Sequence, residues 1–314
     1  WFIMTSEDND EQTKAFFRDH GYFGLGAEAV TFLVQTQIPS LDRSGRLLLS
    51  PQRRLCKNPN GHGGSLYALH DSGALARMAS LGVDEIFYFQ VDNPLVKIAD
   101  PLFIGAHVDR RADMSTKVVQ KTHPGEKVGI IGTINGNLGC IEYSELSEEQ
   151  AHERKPDGTL RFNSANIAIH MLNRQFAETV STSPEFHLPY HIAVKDIACL
   201  AIENNRHVPD TIKGIKFEMF VFDALSFARR PVTLEVPRQE EFAPVKNKEG
   251  ADSPDTARAA LVSRYRSWLR ASAAGDLIPQ DAAVEISPLY AVDERQFVQK
   301  YTAPSAVSPP LYIE

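Results

Sequence analysis

Short apolar runs recur along the chain and alternate with stretches in which apolar residues have helical spacing. A run of about four to eight apolar positions predicts a strand. We predict strands at residues 1–5, 46–49, 85–91, 116–120, 128–132, 139–143, 190–194, 232–236 and 283–286. Apolar residues that recur every three or four positions predict a helix instead. We predict helices at residues 13–20, 27–35, 66–82, 101–108, 166–176, 213–228 and 256–271.

The order of these elements indicates an α/β fold. Strands that alternate with helices are typical of a mainly parallel sheet flanked by helices. Ligands of such sheets bind outside the carboxyl ends of the strands. The glycine-rich stretch at residues 57–69 and the acidic residue Asp92 both follow predicted strands. We therefore expect both to lie at the ligand-binding edge.

Length and local composition predict two domains. The 314 residues correspond to about two domains, and a hydrophobic fraction of 43% is ordinary for a globular protein. Residues 247–254 are rich in Gly, Asp and Lys and precede a new helical pattern. We therefore predict a nucleotide- and sugar-binding domain at 1–250 and a small C-terminal domain at 251–314.

Charge and cysteine usage narrow the classes of partner. A net charge of −7 argues against nucleic acid, because binding a phosphate backbone requires a basic face. No apolar run is long enough to span a bilayer, so no membrane partner is predicted. Cys56, Cys140 and Cys199 have neither disulfide-framework nor metal-site spacing, which predicts reduced thiols and a cytoplasmic protein.

The glycine-rich stretch is the most distinctive local pattern. Gly61, Gly63 and Gly64 follow Pro59-Asn60 and precede a helical pattern. Glycine permits positive φ and close approach of a ligand to the backbone, and free N–H groups at a helix N-terminus suit phosphate or a base edge. The alternative interpretation is an ordinary glycine-rich turn that binds no ligand.

Five polar residues are candidates for chemistry, and each also has an ordinary structural interpretation. Asp92 ends an apolar strand before Asn-Pro and could hold Mg²⁺ or begin a turn. Lys216 and Lys246 could bind phosphate oxygens or lie solvated at the surface. Glu142 could accept two sugar hydroxyls or be a surface acid. Asn166 could contact a sugar or cap a helix.

A longer series of short motifs runs in a fixed order from residue 1 to about residue 260. The motifs are Ile3-Met4-Thr5-Ser6, Phe16-Phe17, His20 to Leu25, Pro59-Asn60-Gly61, Gly63-Gly64, Val91-Asp92-Asn93, Lys97 to Gly105, Lys117 to Lys121, Glu142 to Glu145, Phe162-Asn163, Asn166-Ile167-Ala168, Gly214 to Glu218, Phe220 to Asp223 and Glu241 to Asn247. In this order they resemble the UDP-N-acetylhexosamine pyrophosphorylases of the UDP-sugar pyrophosphorylase group.

The resemblance implies a fold, a reaction and a set of site residues. The fold would be a Rossmann-like, mixed but mainly parallel sheet of the nucleotide-diphospho-sugar transferase type, with a small C-terminal α+β region. UTP and an N-acetylhexosamine 1-phosphate would give a UDP-sugar and pyrophosphate, with Mg²⁺ as cofactor. The implied substrate-binding residues are Gln35, Pro59, Gly61, His62, Gly129, Glu142, Asn166, Phe220 and Phe222, and the implied catalytic residues are Lys216, Lys246 and the metal ligand Asp92.

Within that set, Gln35 and Gly61 would meet the uracil, and Gly129, Glu142 and Asn166 would bind the sugar. Lys216 and Lys246 would face the phosphates. Phe220 and Phe222 would line the acetamide side of the sugar pocket. We further expect a monomer or a weak oligomer.

Two departures from the family pattern keep other functions open. The family's Gly-x-Gly-Thr-Arg loop, followed by Pro-Lys, would precede Trp1, so we expect an upstream segment and expect this chain alone to bind weakly or be inactive. His62 stands where the acetylhexosamine branch has Asn, whereas the glucose branch has Gly-His-Gly. The alternatives are a UDP-glucose or broad UDP-sugar pyrophosphorylase, a non-catalytic UDP-sugar binder and, more remotely, a glycosyltransferase that uses Asp92.

Overall fold

A computed structural model describes residues 1–203, 206–272, 279, 282–302 and 310–314, with the backbone alone at 202–203 and 206–207. The strands are β1 Phe2–Thr5, β2 Thr31–Val34, β3 Gln37–Pro39, β4 Lys57–Pro59, β5 Glu85–Tyr88, β6 Met114–Gln120, β7 Ile130–Ile134, β8 Asn137–Ile141, β9 Ser164–Asn173, β10 His191–Glu203, β11 Arg206–Glu218, β12 Pro231–Glu235, β13 Val284–Ile286 and β14 Leu311–Ile313. The α-helices are α1 Asp10–Asp19, α2 Gly64–Asp71, α3 Ala74–Ser80, α4 Pro101–Asp109, α5 Glu148–His152, α6 Arg174–Thr182, α7 Arg238–Glu241, α8 Pro254–Ala271 and α9 Glu294–Lys300.

Six strands form the main sheet, in the order β12-β6-β9-β7-β8, with β5 also paired to β9. The predicted α/β class and mixed sheet are therefore confirmed. The mainly parallel direction is not what these six strands show, because β12–β6 is parallel while β9 runs antiparallel to β5, β6 and β7. The β7–β8 pair is also antiparallel. Its two-residue turn, Asn135-Gly136, has positive φ at both positions and is a strong hairpin signal that the sequence interpretation missed.

Helices cover both faces of this sheet. On one face, Leu66 of α2, Met78 of α3 and Val180 of α6 belong to the same buried cluster as Val118 of β6. On the other face, Phe103 of α4 packs in a second cluster that includes the next residue of β6, Val119. Because successive side chains of a strand point to opposite faces, a strand covered on both sides is buried at successive positions and lacks the alternation of buried and exposed residues that marks a half-exposed strand.

That double burial explains an incorrect helix prediction at residues 166–176. The segment continues β9 as far as Asn173, and α6 begins only at Arg174. Ile167, Ile169, Met171 and Leu172 are all buried, so the run lacks the alternation that marks a half-exposed strand. Asn166 is therefore a strand residue and does not cap a helix.

The helix predicted at residues 213–228 is also wrong. Residues up to Glu218 belong to β11, which forms a long antiparallel hairpin with β10. A 3₁₀ segment, Val221–Phe227, follows. Lys213 and Lys216 interrupt the apolar pattern three residues apart, and this spacing is the one expected on a helix.

Smaller differences concern three other predicted elements. Residues 27–35 form a 3₁₀ turn and then β2, and residues 46–49 contribute only isolated bridges at Leu47 and Leu49. The helix predicted at 66–82 is divided into α2 and α3 at Gly73, which has a left-handed φ of 76°. The helices predicted at 101–108 and 256–271 and the strands predicted at 116–120, 232–236 and 283–286 are confirmed within one or two residues.

The C-terminal elements form a buried cluster of their own. Trp268 and Leu269 of α8, Phe297 of α9 and Ile286 of β13 share it. The domain boundary near residue 250 agrees with this separate cluster but stays a prediction. Within the described part of the chain, no helix combines the length and the apolar character needed to cross a membrane.

Candidate functional site

The glycine turn lies between β4 and α2 and packs against the chain that leaves β11. Gly61 has a φ of 82°, and a Cβ added there would lie 2.6 Å from the backbone N of Met219. The backbone N–H of Gly63 donates to the Met219 carbonyl at 2.8 Å, and the Met219 N–H donates to the Asn60 carbonyl at 2.8 Å. The glycines thus have a packing reason as well as any ligand-binding role, and they fix the end of β11 beside the turn.

Gln35 reaches this turn from the end of β2. Its side-chain amide donates to Asn60 Oδ1 at 2.9 Å and to the Gly61 carbonyl at 3.1 Å. The structure therefore brings together Gln35 and Gly61, the two residues expected at the uracil. Pro59 ends β4 immediately before the turn.

Aromatic rings form a wall beyond the turn. The Phe220 ring lies between the rings of His62 and His191, with centroids 5.1 Å and 4.6 Å away, and Phe222 lies 5.0 Å from Phe220. The backbone N–H of Val221 donates to His62 Nδ1 at 3.2 Å, which leaves Nε2 as the protonated nitrogen of the neutral ring. His62 is thereby held as part of the wall.

Burial keeps the His62 ring neutral. Together with the nearby charges of His191 and Lys246, it lowers the pKa of His62 to about 4. At neutral pH the ring can therefore accept one hydrogen bond and donate another, and it carries no charge.

The segments that carry Asp92 and Lys246 are hydrogen-bonded to each other: Asp92 follows β5, and Lys246 follows α7. The carbonyl of Asp92 accepts the Val245 N–H at 2.8 Å, which joins the two segments. Burial raises the pKa of the half-buried Asp92 carboxyl, and the positive charge of Lys246 opposes that rise. A desolvated carboxylate gains more from a nearby cation than an exposed one does.

The three residues expected at the sugar also lie together. The Asn166 N–H donates to the Gly129 carbonyl at 2.8 Å. A Cβ added at Gly129 would lie 2.9 Å from Glu142 Oε1 and 2.6 Å from Cys140 Sγ. Glycine at position 129 therefore leaves room for the Glu142 carboxylate beside β7 and β9.

We call the region bounded by the glycine turn, the aromatic rings, the Asp92 and Lys246 segments and the Glu142 group the cleft. His191, Asp223 and Glu145 lie at its Glu142 end, and the sequence interpretation missed them. His191 Nε2 lies 2.9 Å from Asp223 Oδ2, and its Nδ1 lies 3.8 Å from Glu145 Oε1. Glu145 also accepts the backbone N–H of Glu142 at 3.0 Å. Burial raises the pKa of both Glu142 and Asp223. Only the position of Asp223 directly after the Phe-Val-Phe pattern could have indicated it.

Lys246 connects the parts of the cleft electrostatically. Its charge acts on Asp92, on Glu142 and on His62. The structure thus brings together one lysine, the candidate metal ligand and the candidate sugar ligand. Lys216 lies half-buried on β11 opposite Ala193. Among the described residues, its side chain forms none of the contacts that join the other candidate site residues.

The described residues also contain a hydrogen-bonded Ser-His-Glu series away from the cleft. His107 Nδ1 lies 2.6 Å from Ser115 Oγ, and its Nε2 lies 2.9 Å from Glu85 Oε2. Ser115 is fully buried, so no substrate can reach its hydroxyl. The series stabilises the sheet and does not supply a nucleophile.

Comparison with known proteins identifies the family. The family model described as UTP–glucose-1-phosphate uridylyltransferase matches residues 1–300. The chain belongs to this uridylyltransferase family. The resemblance drawn from the ordered motifs is thereby confirmed.

Individual relatives and a solved structure agree with this assignment. The chain is 41% identical over 272 residues to UDP-N-acetylhexosamine pyrophosphorylase-like protein 1 of Xenopus tropicalis. The aligned region covers 86% of this chain and 53% of that protein. It is 35% identical over 300 residues to the UDP-N-acetylglucosamine pyrophosphorylase of Saccharomyces cerevisiae, covering 91% and 61%. Its fold matches the inhibitor-bound uridine diphosphate N-acetylglucosamine pyrophosphorylase of Trypanosoma brucei with a TM-score of 0.83 at 28% identity, covering 100% and 66%.

The aligned regions cover only part of each relative. The chain spans between about half and three fifths of the length of these two relatives. Family membership and fold therefore apply to the segments described above, which include both the glycine turn and the Lys246 segment.

Proposed function

We propose that this chain acts in a uridylyltransferase that joins UTP and an N-acetylhexosamine 1-phosphate to give a UDP-N-acetylhexosamine and pyrophosphate. The observation that carries the proposal is the similarity to N-acetylhexosamine pyrophosphorylases over the segments that build the cleft. The cleft has the polarity that these substrates require. A neutral aromatic wall and carboxylates suit a sugar, and Lys246 suits phosphate oxygens.

The reaction is an in-line displacement at the α-phosphorus of UTP. A phosphate oxygen of the sugar ester forms a bond to this phosphorus, while the bond to the bridging oxygen of pyrophosphate breaks and its electron pair leaves with pyrophosphate. Two polyanions must be brought together, so positioning and charge stabilisation supply most of the catalysis. No covalent enzyme intermediate is required.

The chain's own residues divide this work. Gln35 and Gly61 would orient the uracil. The Glu142 carboxylate would accept hydrogen bonds from sugar hydroxyls, and the Asn166 side-chain amide would donate to a sugar oxygen. Lys246 would hold phosphate oxygens and stabilise the charge that develops on them. The rings of Phe220 and Phe222, whose centroids lie 5.0 Å apart, would line the acetamide side and exclude water from it.

Lys216 would face the same phosphates. Its half-buried position on β11, without an ion pair among the described residues, leaves its ammonium group available for an anion. This role is proposed on the family motif that ends at Glu218.

The donor set at Asp92 fits Mg²⁺. This ion takes one or two carboxylates and completes its shell with substrate phosphates and water. Among the described residues, no group of three or more His, Cys, Asp or Glu side chains could hold a metal without substrate. When bound, Mg²⁺ would lower the repulsion between the two polyanions.

A cytoplasmic location is also proposed, because Cys56, Cys140 and Cys199 are all free thiols. Nucleic acid is not among the proposed partners of an acidic chain with a net charge of −7.

The test is a turnover assay on the complete product of the gene that encodes this chain. Pyrophosphate release is measured from UTP, Mg²⁺ and N-acetylglucosamine 1-phosphate, N-acetylgalactosamine 1-phosphate or glucose 1-phosphate. We expect the two N-acetylhexosamine esters to react faster than glucose 1-phosphate. Faster reaction of glucose 1-phosphate would favour the UDP-glucose alternative, and no turnover with any of the three would exclude the proposed function.

A further inference from the structure

A lysine lies buried beneath the cleft with two carboxylates around it. Lys117 of β6 is fully buried, and its Nζ lies 2.6 Å from Asp100 Oδ2 and 2.6 Å from Glu241 Oε2. The same ammonium group lies 5.3 Å from the centroid of the Phe103 ring. Because Lys117 has no exposed surface, it cannot touch a substrate. Its contacts therefore act on other parts of the protein.

The two carboxylates belong to the two segments that carry the cleft's central charges. Asp100 caps α4 at the end of the segment that begins with Asp92, and its side chain accepts the Leu102 N–H. Glu241 ends α7, five residues before Lys246. Lys117 thus joins both segments to strand β6 of the main sheet.

Asn93 also connects the Asp92 and Lys246 segments, and we call its contacts together with those of Lys117 the joint. This side chain is buried, and its Nδ2 donates to the Glu241 carbonyl at 2.7 Å. Its Oδ1 accepts the Ala243 N–H at 3.1 Å. The neighbouring bond from the Val245 N–H to the Asp92 carbonyl continues the join up to the residue before Lys246.

A second set of contacts joins the same segments nearer the surface. Lys97 Nζ lies 2.6 Å from Glu240 Oε2. Arg264 of α8 donates to the Leu95 carbonyl at 3.2 Å and to the Glu240 carbonyl at 3.4 Å. The C-terminal helix therefore also holds both segments, and Lys117 with Asn93 forms the buried part of the arrangement.

We propose that Lys117 and Asn93 are positioning residues that fix Lys246 relative to Asp92. The inference rests on the proposed function, because the separation of these two charges matters only if they act on one set of phosphates and a cation. Lys117 holds the two segments through their carboxylates, and Asn93 holds them through backbone groups. Both therefore act through Asp92 and Lys246 and make no contact with the substrate.

The test compares Lys117→Met and Asn93→Ala with two controls in the complete gene product. Lys117→Met removes a buried charge from between two carboxylates, which is strongly destabilising. Asn93→Ala removes only neutral hydrogen bonds and serves as the milder variant. Lys213→Met breaks an exposed ion pair with Asp196, and Val180→Ala trims the core on the opposite face.

Two readouts are needed. Hydrogen exchange measures the protection of residues 241–247 and 92–97, and steady-state kinetics separates kcat from KM for the sugar phosphate. We expect exchange to speed up more in these two segments than in β9, and kcat to fall about 10²-fold with KM nearly unchanged, since misplacement of about 1 Å can cost that much. Both control variants should keep the wild-type kcat.

Each outcome distinguishes the inference from the function on which it rests. A folded Lys117→Met or Asn93→Ala protein with wild-type kcat would overturn the positioning role alone. An equal loss of kcat in Val180→Ala would assign the effect to general destabilisation and would also overturn it. If Lys117→Met does not fold, Asn93→Ala decides. An inactive wild-type protein would overturn the proposed function and this inference together.

Discussion

At the scale of single residues, the cleft depends on a carboxylate and a lysine that lie close together. Asp92 and Lys246 were both predicted from the motifs, and the structure joins their segments by a backbone hydrogen bond of 2.8 Å. No motif could predict that Asp92 is half-buried, because the segment that packs beside it lies about 150 residues further along the chain. Burial is what makes the Asp92 carboxylate a strong partner for a cation.

Removing that carboxylate tests its role as the metal ligand. We expect Asp92→Ala to lower Mg²⁺-dependent turnover by about 10²-fold or more, because charge stabilisation in the transition state is lost. The fold should persist, because the hydrogen bond from the Val245 N–H to the Asp92 carbonyl does not involve the side chain that is removed. Asp196→Ala removes an exposed carboxylate of the β10–β11 hairpin and serves as the control. Wild-type turnover in Asp92→Ala would remove the metal assignment.

The two lysines of β11 allow a matched comparison. Lys213 is exposed and paired with Asp196 at 2.8 Å, whereas Lys216 is half-buried. We expect Lys216→Ala to reduce kcat by about 10-fold or more, because a phosphate-facing charge is lost. Lys213→Ala should leave kcat unchanged. Equal rates in both variants would make Lys216 an ordinary solvated lysine.

A buried histidine makes the stability sensitive to acid. His170 is fully buried, and within the described residues neither ring nitrogen has a hydrogen-bond partner. Burial, with a smaller effect of His62, lowers the pKa of His170 to about 3. The unfolded chain binds a proton below about pH 6.5 while the folded chain does not, so stability is lost as pH falls from there toward about 3.

The expected result for His170→Phe follows from this sign. Between about pH 7 and pH 5, wild type should lose about 2 kcal/mol more free energy of unfolding than the variant, at about 1.4 kcal/mol per pH unit. Urea denaturation at the two pH values measures the difference, and the cost of the substitution itself cancels. Equal losses in both proteins would show that His170 titrates normally in the folded state.

At the scale of elements, the glycine turn combines packing with its proposed contact to the uracil. A side chain at Gly61 is excluded twice, by a φ of 82° and by the backbone of Met219. We expect Gly61→Ala to lower the free energy of unfolding by about 1–3 kcal/mol. Gly105→Ala is the control, because a Cβ there meets nothing within 4 Å inside α4 and should stabilise by about 0.4–1 kcal/mol.

The measurement is the midpoint of urea unfolding for both variants. A neutral effect of Gly61→Ala would contradict the close packing of the turn against the end of β11. It would also weaken the interpretation that this packing places Phe220 in the cleft.

Elements were predictable where their pattern was unambiguous. The helix α8 has a capping box at Ser253 and Thr256 with Pro at its first position, and its start was predicted within two residues. The strand β9 was not predictable, because burial on both faces removes alternation and leaves an apolar run that suits a helix equally well. The sharp Asn135-Gly136 turn was a local signal that could have been used.

At the scale of the whole molecule, the ordered motifs predicted the family, but they could not predict how the cleft is assembled. Gly61, Asp92, Glu142 and Lys246 come from four separate segments, and their approach depends on the sheet order. The residues that the sequence interpretation missed, His191 and Asp223 in particular, come together because the 3₁₀ segment that follows β11 packs against β8 and Asp223 in that segment pairs with His191. The residues of the Lys117 joint also stand in these motifs, but no motif indicates that Lys117 meets Asp100 and Glu241.

The most direct test of the account is the position of a bound UDP-N-acetylglucosamine in a crystal of the complete gene product grown with Mg²⁺. We predict density with the uracil beside Gln35 and Gly61, the phosphates beside Lys246 and Asp92, and the sugar against Glu142, Asn166 and Phe220. An empty cleft, with the nucleotide sugar bound at another surface, would contradict the account.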